Sequence, residues 1–282
     1  MNVCGAWNDP KEDPAAPILA AFEAGCRVFD HADIYAGGKC EQAYAEAVRR
    51  EPELGRVGRV IAKFGHVFPA WDSGQPHHYN TRPEHLESVA EASLKRLGVE
   101  TLDLMLIHRP DPLSDYAALA ETAQRLRASG KVREFGVSNF NPNQADAARA
   151  AGWPVLANQF QFSALQADAV TNGTLDDALE HQVVPMAWAS QERGLLGDRP
   201  LPDQLEPAEA ERITAVREAL DATDLPRDQA ALAWIRTHPA GPLPVVGTTD
   251  PERIRSAWLA ADRTLDPLDW YRVYLAAGYQ LP

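Results

Sequence analysis

The chain has 282 residues, of which 45% are hydrophobic, and a formal net charge of −13. This length suits one domain of about 250 residues or slightly more, and the apolar fraction suits a full core. Lysines and arginines never run more than two in a row, whereas a nucleic-acid-binding surface needs a basic stripe, so we expect no nucleic-acid partner. We also expect no membrane partner, because an acidic surface is repelled by anionic lipid and no apolar run approaches about 18 residues.

The cysteines and the first residues indicate the compartment. Cys4, Cys26 and Cys40 form no CxxC pair and no metal-ligand spacing, which is typical of a reducing environment. The opening segment MNVCGAWNDPKED turns acidic early, unlike a signal peptide. We therefore predict a cytoplasmic protein, with a monomer or a weak homo-oligomer as its assembly.

Short apolar runs alternate with amphipathic stretches along the chain. The runs predict strands at 3–5, 27–31, 59–64, 102–108, 133–138, 155–160, 183–188 and 243–247. Helices are predicted between them, the first four at 14–25, 40–50, 82–98 and 116–130, three of which end at a glycine. Alternation of this kind predicts a parallel sheet, and eight repeats predict a closed barrel. The predicted fold is α/β, a single (β/α)8 TIM barrel that forms one domain over residues 1–282.

Two irregular stretches follow predicted strands. Residues 65–82 follow the third strand and residues 189–206 follow the seventh. Loops on this side of a barrel usually carry the function. The first of them is rich in aromatic and histidine residues, and we expect it to line a substrate pocket with Trp7, the 109–113 segment and the C-terminal 276–282. Its expected pocket residues are Phe68, Trp71, His77, His78 and Tyr79.

Four ionisable residues lie where predicted strands end. Asp30, Lys63 and His108 each close an apolar run, and Tyr35 follows the first of these after five residues. A phenol has a pKa near 10, and a neighbouring ammonium lowers that value. We expect Lys63 to be this cation and Asp30 to be its carboxylate partner, because an unpaired buried ammonium is unfavourable. His108 adds a donor for a developing oxyanion. The set suits protonation of an alkoxide formed from a carbonyl.

Each of the four residues also has an ordinary structural alternative. Asp30 could cap a helix or a turn, Tyr35 could pack in a wall, and His108 could bond a backbone carbonyl at a strand end. A lysine at the end of a buried strand is harder to explain in this way. It is the joint occurrence on consecutive strands that favours a catalytic site.

Two other site chemistries are disfavoured. His31, Asp33 and His108 could ligate a metal, but the later strands end in serine, asparagine, glutamine and threonine, which are poor ligands. We therefore expect no metal. Asp30 with Glu192 is the one obvious carboxylate pair for a glycosidase, and that assignment leaves the lysine and the tyrosine without roles.

Several residues suit a dinucleotide. Hydroxyl and amide side chains at the ends of strands five and six can bond a carboxamide, and Trp188 offers a flat face for a ring. A Gly-Thr-Thr turn before a helix start suits a phosphate, with an arginine nearby. These residues also have ordinary structural explanations. Trp188 could pack in the core, and the Gly-Thr-Thr turn could simply cap the helix that follows it. No GxGxxG motif is present, so a Rossmann fold is not indicated.

The chain resembles the aldo-keto reductase family, and within it the bacterial oxidoreductase branch. The likeness covers nearly the whole sequence and rests on several ordered segments. They are FDHADIY at 29–35, VIAKFG at 60–65, LDLMLIHRPDP at 103–112, GKVREFGVSNF at 130–140, NQFQFS at 158–163, PMAW at 185–188 and VVGTTDPERIR at 245–255.

The resemblance implies a (β/α)8 barrel that reduces an aldehyde or a ketone with NADPH, which is bound in an extended pose. Tyr35 would donate the proton, with Lys63 and Asp30 tuning it and His108 orienting the carbonyl. Serine and amide groups would hold the carboxamide, Trp188 would stack on the nicotinamide, and the 247–253 segment would meet the 2′-phosphate. The implied cofactor-binding residues are Ala6, Trp7, Ser138, Asn139, Gln159, Trp188, Ala189, Gln191, Gly247, Thr248, Thr249 and Arg253.

Three features depart from the family pattern. The chain starts almost at the first predicted strand, so we expect the usual N-terminal β-hairpin to be lacking. The loop after strand seven reads ASQERGLLG, and Glu192 in it is expected to repel the pyrophosphate. Gly247 stands where a phosphate-binding lysine is common, which leaves more of that task to Arg253.

The predicted function is an NADPH-dependent carbonyl reductase. The alternatives are a cofactor-sensing regulatory or binding subunit with little turnover, and a degenerate barrel without a cofactor.

Overall fold

The computed structural model describes residues 13–68 and 76–281. The chain divides into two compact units, Met1–Asn158 with Gly247–Pro251 and Gln159–Val246 with Glu252–Pro282. None of the helices in this described part has both the length and the apolar character that a membrane span requires.

The first unit alternates helices and strands. Its four longer strands are parallel and pair in the order β1, β2, β5, β6. A short antiparallel pair, β3 with β4, follows β2. The elements in chain order are α1 (Ala16–Ala24), β1 (Val28–Asp30), α2 (Lys39–Arg50), α3 (Pro52–Val57), β2 (Arg59–Phe64), β3 (His66–Val67), β4 (His78–Tyr79), α4 (Pro83–Leu97), β5 (Leu102–Ile107), α5 (Tyr116–Ala128), β6 (Val132–Ser138) and α6 (Pro142–Ala150).

Local sequence explains where these elements begin and end. Helix α1 stops at Gly25, whose φ of 115° lies in the left-handed region that only glycine adopts without strain. Helix α6 begins with a capping box in which the Asn141 side chain accepts from the Gln144 amide and the Gln144 side chain accepts in return. Strand β2 is buried along five of its six residues, as expected for a parallel strand covered on both faces.

A glycine fixes the close packing at β6. A Cβ on Gly136 would lie 2.6 Å from the carbonyl oxygen of Ala157 and 2.8 Å from Cδ2 of Leu106. The indole N–H of Trp153 donates to the Gly136 carbonyl at 3.2 Å, and that ring packs edge-on against Phe135. The core of the first unit thus closes on a position that has no room for a side chain.

The second unit has its own core. The indole of Trp234 donates to the carbonyl of Trp270 and the indole of Trp270 donates to the carbonyl of Trp234, both at 3.1 Å. Their rings stack in parallel at 5.0 Å. Strand β8 pairs in parallel with β9. The remaining elements are β7 (Ala157–Gln161), which lies at the division, α7 (Thr174–Glu180), β8 (Val184–Trp188), α8 (Pro207–Asp221), α9 (Arg227–Thr237), β9 (Leu243–Pro244), α10 (Pro251–Leu259) and α11 (Pro267–Ala276).

Most predicted strands are confirmed close to their predicted bounds. The predicted first strand at 3–5 lies outside the described residues, and the eighth is shorter than predicted, ending at Pro244. The stretch predicted to be an irregular loop contains the β3–β4 hairpin, which has only two residues in each strand. The assignment of residues 1–282 to one domain stays a prediction.

Candidate active site

Lys63 is the centre of the site in the first unit. It is the fifth residue of β2, and its side chain is fully buried. Its Nζ donates to Oδ2 of Asp30 at 2.6 Å, to the carbonyl oxygen of His31 at 3.0 Å and to the phenol oxygen of Tyr35 at 3.2 Å. All three N–H donors of the ammonium are therefore used, which is what a buried charge requires.

The backbone after Tyr35 is left-handed. Tyr35 opens a 3-10 turn, Tyr35–Gly38, in which Ala36 has φ 49° and Gly37 has φ 62°. Gly38 has φ 86°, and a Cβ on it would lie 2.8 Å from Cδ of Arg96. A non-glycine residue in this region is strained by roughly 1 to 2 kcal/mol. Strain next to a catalytic group is common where the surrounding structure fixes a functional position.

The pKa of Tyr35 corrects one prediction. Burial raises the pKa of the Tyr35 phenol above its ordinary value of 10, although the Lys63 ammonium acts in the opposite direction. The prediction that Lys63 brings this pKa below its ordinary value is wrong for the described structure, because burial outweighs the ammonium. The phenol is therefore fully protonated at neutral pH, and it remains a far stronger acid than an alcohol.

Lys63 and His108 differ in charge at neutral pH, because the lysine is charged and the histidine is neutral. Burial lowers the pKa of Lys63, but attraction to Asp30 and to Tyr35 outweighs it, and the net pKa lies above 10.5. Burial lowers the pKa of His108 well below 6.5, and the charge of Lys63 lowers it further. His108 is therefore neutral at pH 7. Its ring lies edge-on to the Tyr35 ring at 5.9 Å, so a neutral imidazole donor stands beside the phenol.

Asp33 lies two residues before Tyr35 and is also perturbed. Burial raises the pKa of Asp33 to about 7, and the neighbouring Glu41 carboxylate adds to the shift. One oxygen of Asp33 accepts from the Ile34 amide at 2.9 Å. Glu41 itself is buried and forms a close ion pair with Arg96. The segment that carries the tyrosine thus contains a carboxyl group that titrates near neutral pH.

A hydroxyl and an amide lie at the end of β6. Ser138 is buried, and Asn139 has φ 62°, in the left-handed region that asparagine tolerates. The Nδ2 of Asn139 donates to the Ser138 hydroxyl oxygen at 2.8 Å and to the carbonyl oxygen of His108 at 3.2 Å. The sequence-predicted residues of β5 and β6 are thereby brought together. A hydroxyl with an amide is also a donor set that fits a carboxamide.

The predicted residues of the second unit lie on β7, β8 and the loop after β8. Gln159 is buried and Trp188 is half-buried. Ala189 follows Trp188 in the left-handed region, with φ 54°. The side chain of Gln191 donates to the carbonyl oxygen of Asp228 at 3.1 Å, so this amide stabilises the loop.

Glu192 is held by two neutral donors. Its carboxylate accepts from Nε2 of Gln161 and from the Ser163 hydroxyl, both at 2.9 Å. Neither donor carries a positive charge, so the carboxylate is fixed in place rather than neutralised. The expectation that it repels a pyrophosphate stays a prediction.

The Gly-Thr-Thr turn precedes α10 as predicted. The Thr248 hydroxyl oxygen accepts from the Asp250 amide at 3.2 Å, and open space surrounds the position of a Cβ on Gly247. Thr249 lies in the same turn, and Arg253 lies in the first turn of the helix. Ala6 and Trp7 lie outside the described residues.

His66 and Arg109 are not among the individually predicted site residues, although each lies in a stretch that is expected to line the pocket. The ring of His66 contacts that of His108 edge-on at 5.3 Å. The half-buried Arg109 follows His108 directly, and its positive charge is one of the minor factors that lower the pKa of His66 and of Tyr35. The signal that could have identified both is their position, because each lies within three residues of Lys63 or His108, which end strands or directly follow them. Of the expected pocket residues, Trp71 lies outside the described residues.

Comparison with known proteins settles the family. The Aldo/keto reductase family model matches residues 1–274. The chain belongs to this family. Oxidoreductase YdhF of Escherichia coli is 35% identical over 98% of this chain and 91% of its own length. A 6-dehydroglucose reductase of Agrobacterium fabrum is 36% identical over 99% of this chain and 95% of its own length.

Solved structures show the same fold. Glycerol dehydrogenase AKR11B4 of Gluconobacter oxydans superposes with a TM-score of 0.84 at 23% identity, covering 98% of this chain and 88% of that one. The predicted (β/α)8 barrel class of this aldo/keto reductase is thereby confirmed. Family membership also makes the chain an oxidoreductase whose general reaction is carbonyl reduction, in a family that generally uses nicotinamide cofactors.

Proposed function

We propose that this aldo/keto reductase reduces an aldehyde or a ketone to an alcohol with NADPH, and that Tyr35 donates the proton. The observation that carries the proposal is the buried Lys63 ammonium, which donates to Asp30 at 2.6 Å and to the Tyr35 oxygen at 3.2 Å. If this buried residue served only to pack the core, a leucine would serve better than a lysine. Its arrangement is understandable if a negative charge develops on the phenol during the reaction.

A bound nicotinamide would supply the hydride, and residues of the protein would donate the proton and stabilise the charge that it leaves. Tyr35 is protonated at neutral pH, so its O–H is available to the oxygen of a reduced carbonyl. When the proton leaves, the Lys63 ammonium at 3.2 Å stabilises the phenolate. Neutral His108 donates a hydrogen bond to the carbonyl oxygen of the substrate and thereby orients the carbonyl. Asp30 keeps the ammonium charged and in place.

The donor set of the chain fits a nicotinamide cofactor. We assign the carboxamide to Ser138 and Asn139, whose hydroxyl and amide lie together at the end of β6, and to Gln159. We assign the face of the nicotinamide ring to Trp188, and the 2′-phosphate to Thr248 and Arg253. The assignments of Gln159, Trp188, Thr248 and Arg253 rest on the sequence resemblance.

The decisive experiment combines cofactor binding with turnover. NADPH and NADH are titrated in parallel, and quenching of tryptophan fluorescence is recorded for the unaltered protein and for Tyr35→Phe. A panel of aldehydes and ketones is then assayed with NADPH. Tyr271→Phe, which removes the hydroxyl of an exposed ring on α11, is the matched control.

We expect NADPH to bind more tightly than NADH to both proteins. Tyr35→Phe should lower turnover by about 10²-fold to 10⁴-fold, the usual contribution of a general acid, and Tyr271→Phe should leave it unchanged. Unaltered turnover in Tyr35→Phe would exclude Tyr35 as the donor. Tight NADPH binding without turnover on any carbonyl would instead favour a cofactor-sensing binding subunit.

A further inference from the structure

Four aromatic side chains of the second unit form a continuous line, which we call the ring stack: Trp234, Trp270, Tyr274 and Tyr279. The centroids of successive rings are 5.0, 5.2 and 5.0 Å apart, and their planes lie within 2°, 15° and 18° of parallel. Aromatic pairs in proteins adopt edge-on as well as stacked arrangements, so three stacked contacts in succession are a distinct feature. Because the π-orbitals of stacked rings overlap, an electron can pass from each ring to the next.

The ring stack runs from the core towards the surface. Trp234 is fully buried, and Trp270 and Tyr274 are 9% and 2% exposed. These last two lie one helical turn apart on α11, so the helix itself sets their contact. Tyr279 follows the helix and is partly exposed. The stack therefore connects a buried pair of indoles to a phenol that solvent reaches.

The inner end of the stack is suited to hold an electron vacancy. The two indole N–H groups donate to the carbonyl oxygens of Trp270 and Trp234, and a backbone carbonyl is too weak a base to remove a proton. An indole that has lost one electron therefore keeps its proton here, and with it the charge that makes it a strong oxidant. Two parallel rings in contact also share this charge, which stabilises it relative to a single indole.

The outer end of the stack is suited to release a proton. The Tyr279 hydroxyl donates to Oδ1 of Asp168 at 2.9 Å, and its oxygen accepts from the Ala167 amide at 2.7 Å. Burial raises the pKa of Tyr279 to about 12, and the hydrogen bond to Asp168 adds to this rise, so the phenol is protonated at neutral pH. A phenol that loses an electron becomes a strong acid, and the exposed Asp168 carboxylate is placed to accept its proton.

We propose that the ring stack is a one-electron conduit, which carries oxidising equivalents from the buried indole pair to Tyr279, where a soluble reductant such as ascorbate removes them. The conduit keeps oxidative damage away from the core of the second unit. This inference goes beyond the proposed reductase function and does not depend on it, since it requires neither a cofactor nor a carbonyl.

Electrons and protons are conserved in each step. A one-electron oxidant, or a photon that ejects an electron, removes one electron from the indole pair. An electron then moves from Tyr279 through the Tyr274 ring to the indoles, while the Tyr279 O–H bond breaks and its proton passes to Oδ1 of Asp168. The products are an intact indole pair, a neutral phenoxyl radical and a protonated carboxyl group. Ascorbate then supplies one electron, and Asp168 returns the proton to the phenol oxygen.

Laser photoionisation of tryptophan tests the conduit in the full chain. The ejected electrons are scavenged with nitrous oxide and tert-butanol, and the absorption bands of the indolyl and phenoxyl radicals are followed with time. In the unaltered protein we expect a phase in which the indolyl radical decays and the phenoxyl radical grows at the same first-order rate. This rate should not depend on protein concentration, because the transfer is intramolecular, and ascorbate should then erase the phenoxyl signal.

Five variants assign this phase to the ring stack. Tyr279→Phe removes the terminal O–H and should abolish the phase, and Asp168→Asn removes the proton acceptor and should slow it by about tenfold or more. Tyr274→Phe keeps the connecting ring and should retain the phase, whereas Tyr274→Leu interrupts the stack and should abolish it. Tyr271→Phe is the matched control, because that exposed ring contacts Trp270 edge-on at 5.2 Å, and it should retain the phase.

The outcomes decide between a conduit and ordinary packing. Absence of the phase from the unaltered protein, or its persistence at the same rate in Tyr279→Phe, overturns the proposal. Loss of the phase in Tyr271→Phe also overturns it, because the electron then comes from the edge-on ring. Thermal unfolding followed by circular dichroism shows whether each variant is folded. If Tyr274→Leu is unfolded, Tyr279→Phe and Asp168→Asn still decide the question, since both substitutions lie outside the buried part of the stack.

Discussion

The Lys63 ammonium lies 2.6 Å from an Asp30 carboxylate oxygen, and neither side chain is more than 8% exposed. Removal of one partner leaves the other as an uncompensated buried charge. We therefore expect Lys63→Met to lower the free energy of unfolding by about 3 to 5 kcal/mol and to abolish carbonyl reduction. Urea denaturation followed by circular dichroism measures the first effect, and a steady-state assay measures the second.

An exposed pair and a double variant serve as controls for Lys63→Met. Lys131 and Glu91 are as close, at 2.6 Å, but their side chains are 40% and 60% exposed, so Lys131→Met should change stability by less than about 1 kcal/mol. Replacing both buried partners, as Asp30→Leu with Lys63→Met, should recover much of the stability and none of the activity. If the double variant is active, the pair has no part in catalysis.

The pH dependence of reduction should follow the two perturbed groups. The proposed proton donor, Tyr35, would act in its protonated form, and its pKa is raised above 10. The proposed mechanism also uses neutral His108 as a hydrogen-bond donor, and the pKa of His108 is lowered well below 6.5. We expect kcat/KM for carbonyl reduction to be flat between pH 6.5 and pH 10, which stopped-flow assays in overlapping buffers can measure. An alkaline limb near pH 8 would show that the phenol is acidified after all.

Asp33 should give the protein a pH-dependent stability. Its pKa is about 7 in the folded state against 3.8 ordinarily, so the folded state binds the proton more strongly than the unfolded state. The stability that Asp33 contributes in its protonated form is therefore fully present below pH 3.8, and this contribution is lost as the pH rises through about 7. We expect Asp33→Asn to be more stable than the unaltered protein at pH 8 by on the order of 2 to 4 kcal/mol.

The size of this difference should itself depend on pH. It should disappear when both proteins are unfolded in urea near pH 4, because Asp33 is then protonated in the folded state as well. Asp203 is exposed, so Asp203→Asn should shift stability little at either pH. A constant advantage of Asp33→Asn across the range would point to a cause other than titration.

Gly136 should not tolerate even a methyl group. A Cβ there would lie 2.6 Å from the Ala157 oxygen and 2.8 Å from Cδ2 of Leu106, and both atoms belong to the packed core. Gly136→Ala should lower the free energy of unfolding by about 1 to 3 kcal/mol. At Gly197 the nearest atom would be 3.4 Å away, so Gly197→Ala should be close to neutral by the same thermal or urea measurement.

The positions of the residues proposed to be catalytic were accessible from the sequence. Lys63 and His108 each end an apolar run, and an ionisable residue there is unusual enough to indicate a site before any coordinates are known. The geometry confirms that Asp30, Lys63 and Tyr35 meet. Ser138 and Asn139 could also be placed, because parallel strands bring their carboxyl ends to one edge.

Other properties depend on features that sequence does not encode locally. The direction of the Tyr35 pKa shift results from the balance between burial and one ammonium, and burial is set by the whole fold. The β3–β4 hairpin has two residues per strand, which is too short for an alternating pattern to be recognised. The two donors to Glu192, from Gln161 and Ser163, come from residues about thirty positions away.

The reciprocal bonds between Trp234 and Trp270 have a spectroscopic consequence. Two indole rings that stack at 5.0 Å and within 2° of parallel are close enough for their electronic transitions to couple. Among the tryptophans in residues 13–68 and 76–281, exciton coupling of this kind reports on the Trp234–Trp270 pair. Loss of this exciton signal during denaturation would show when the second unit unfolds, separately from the first, without any label or engineered probe.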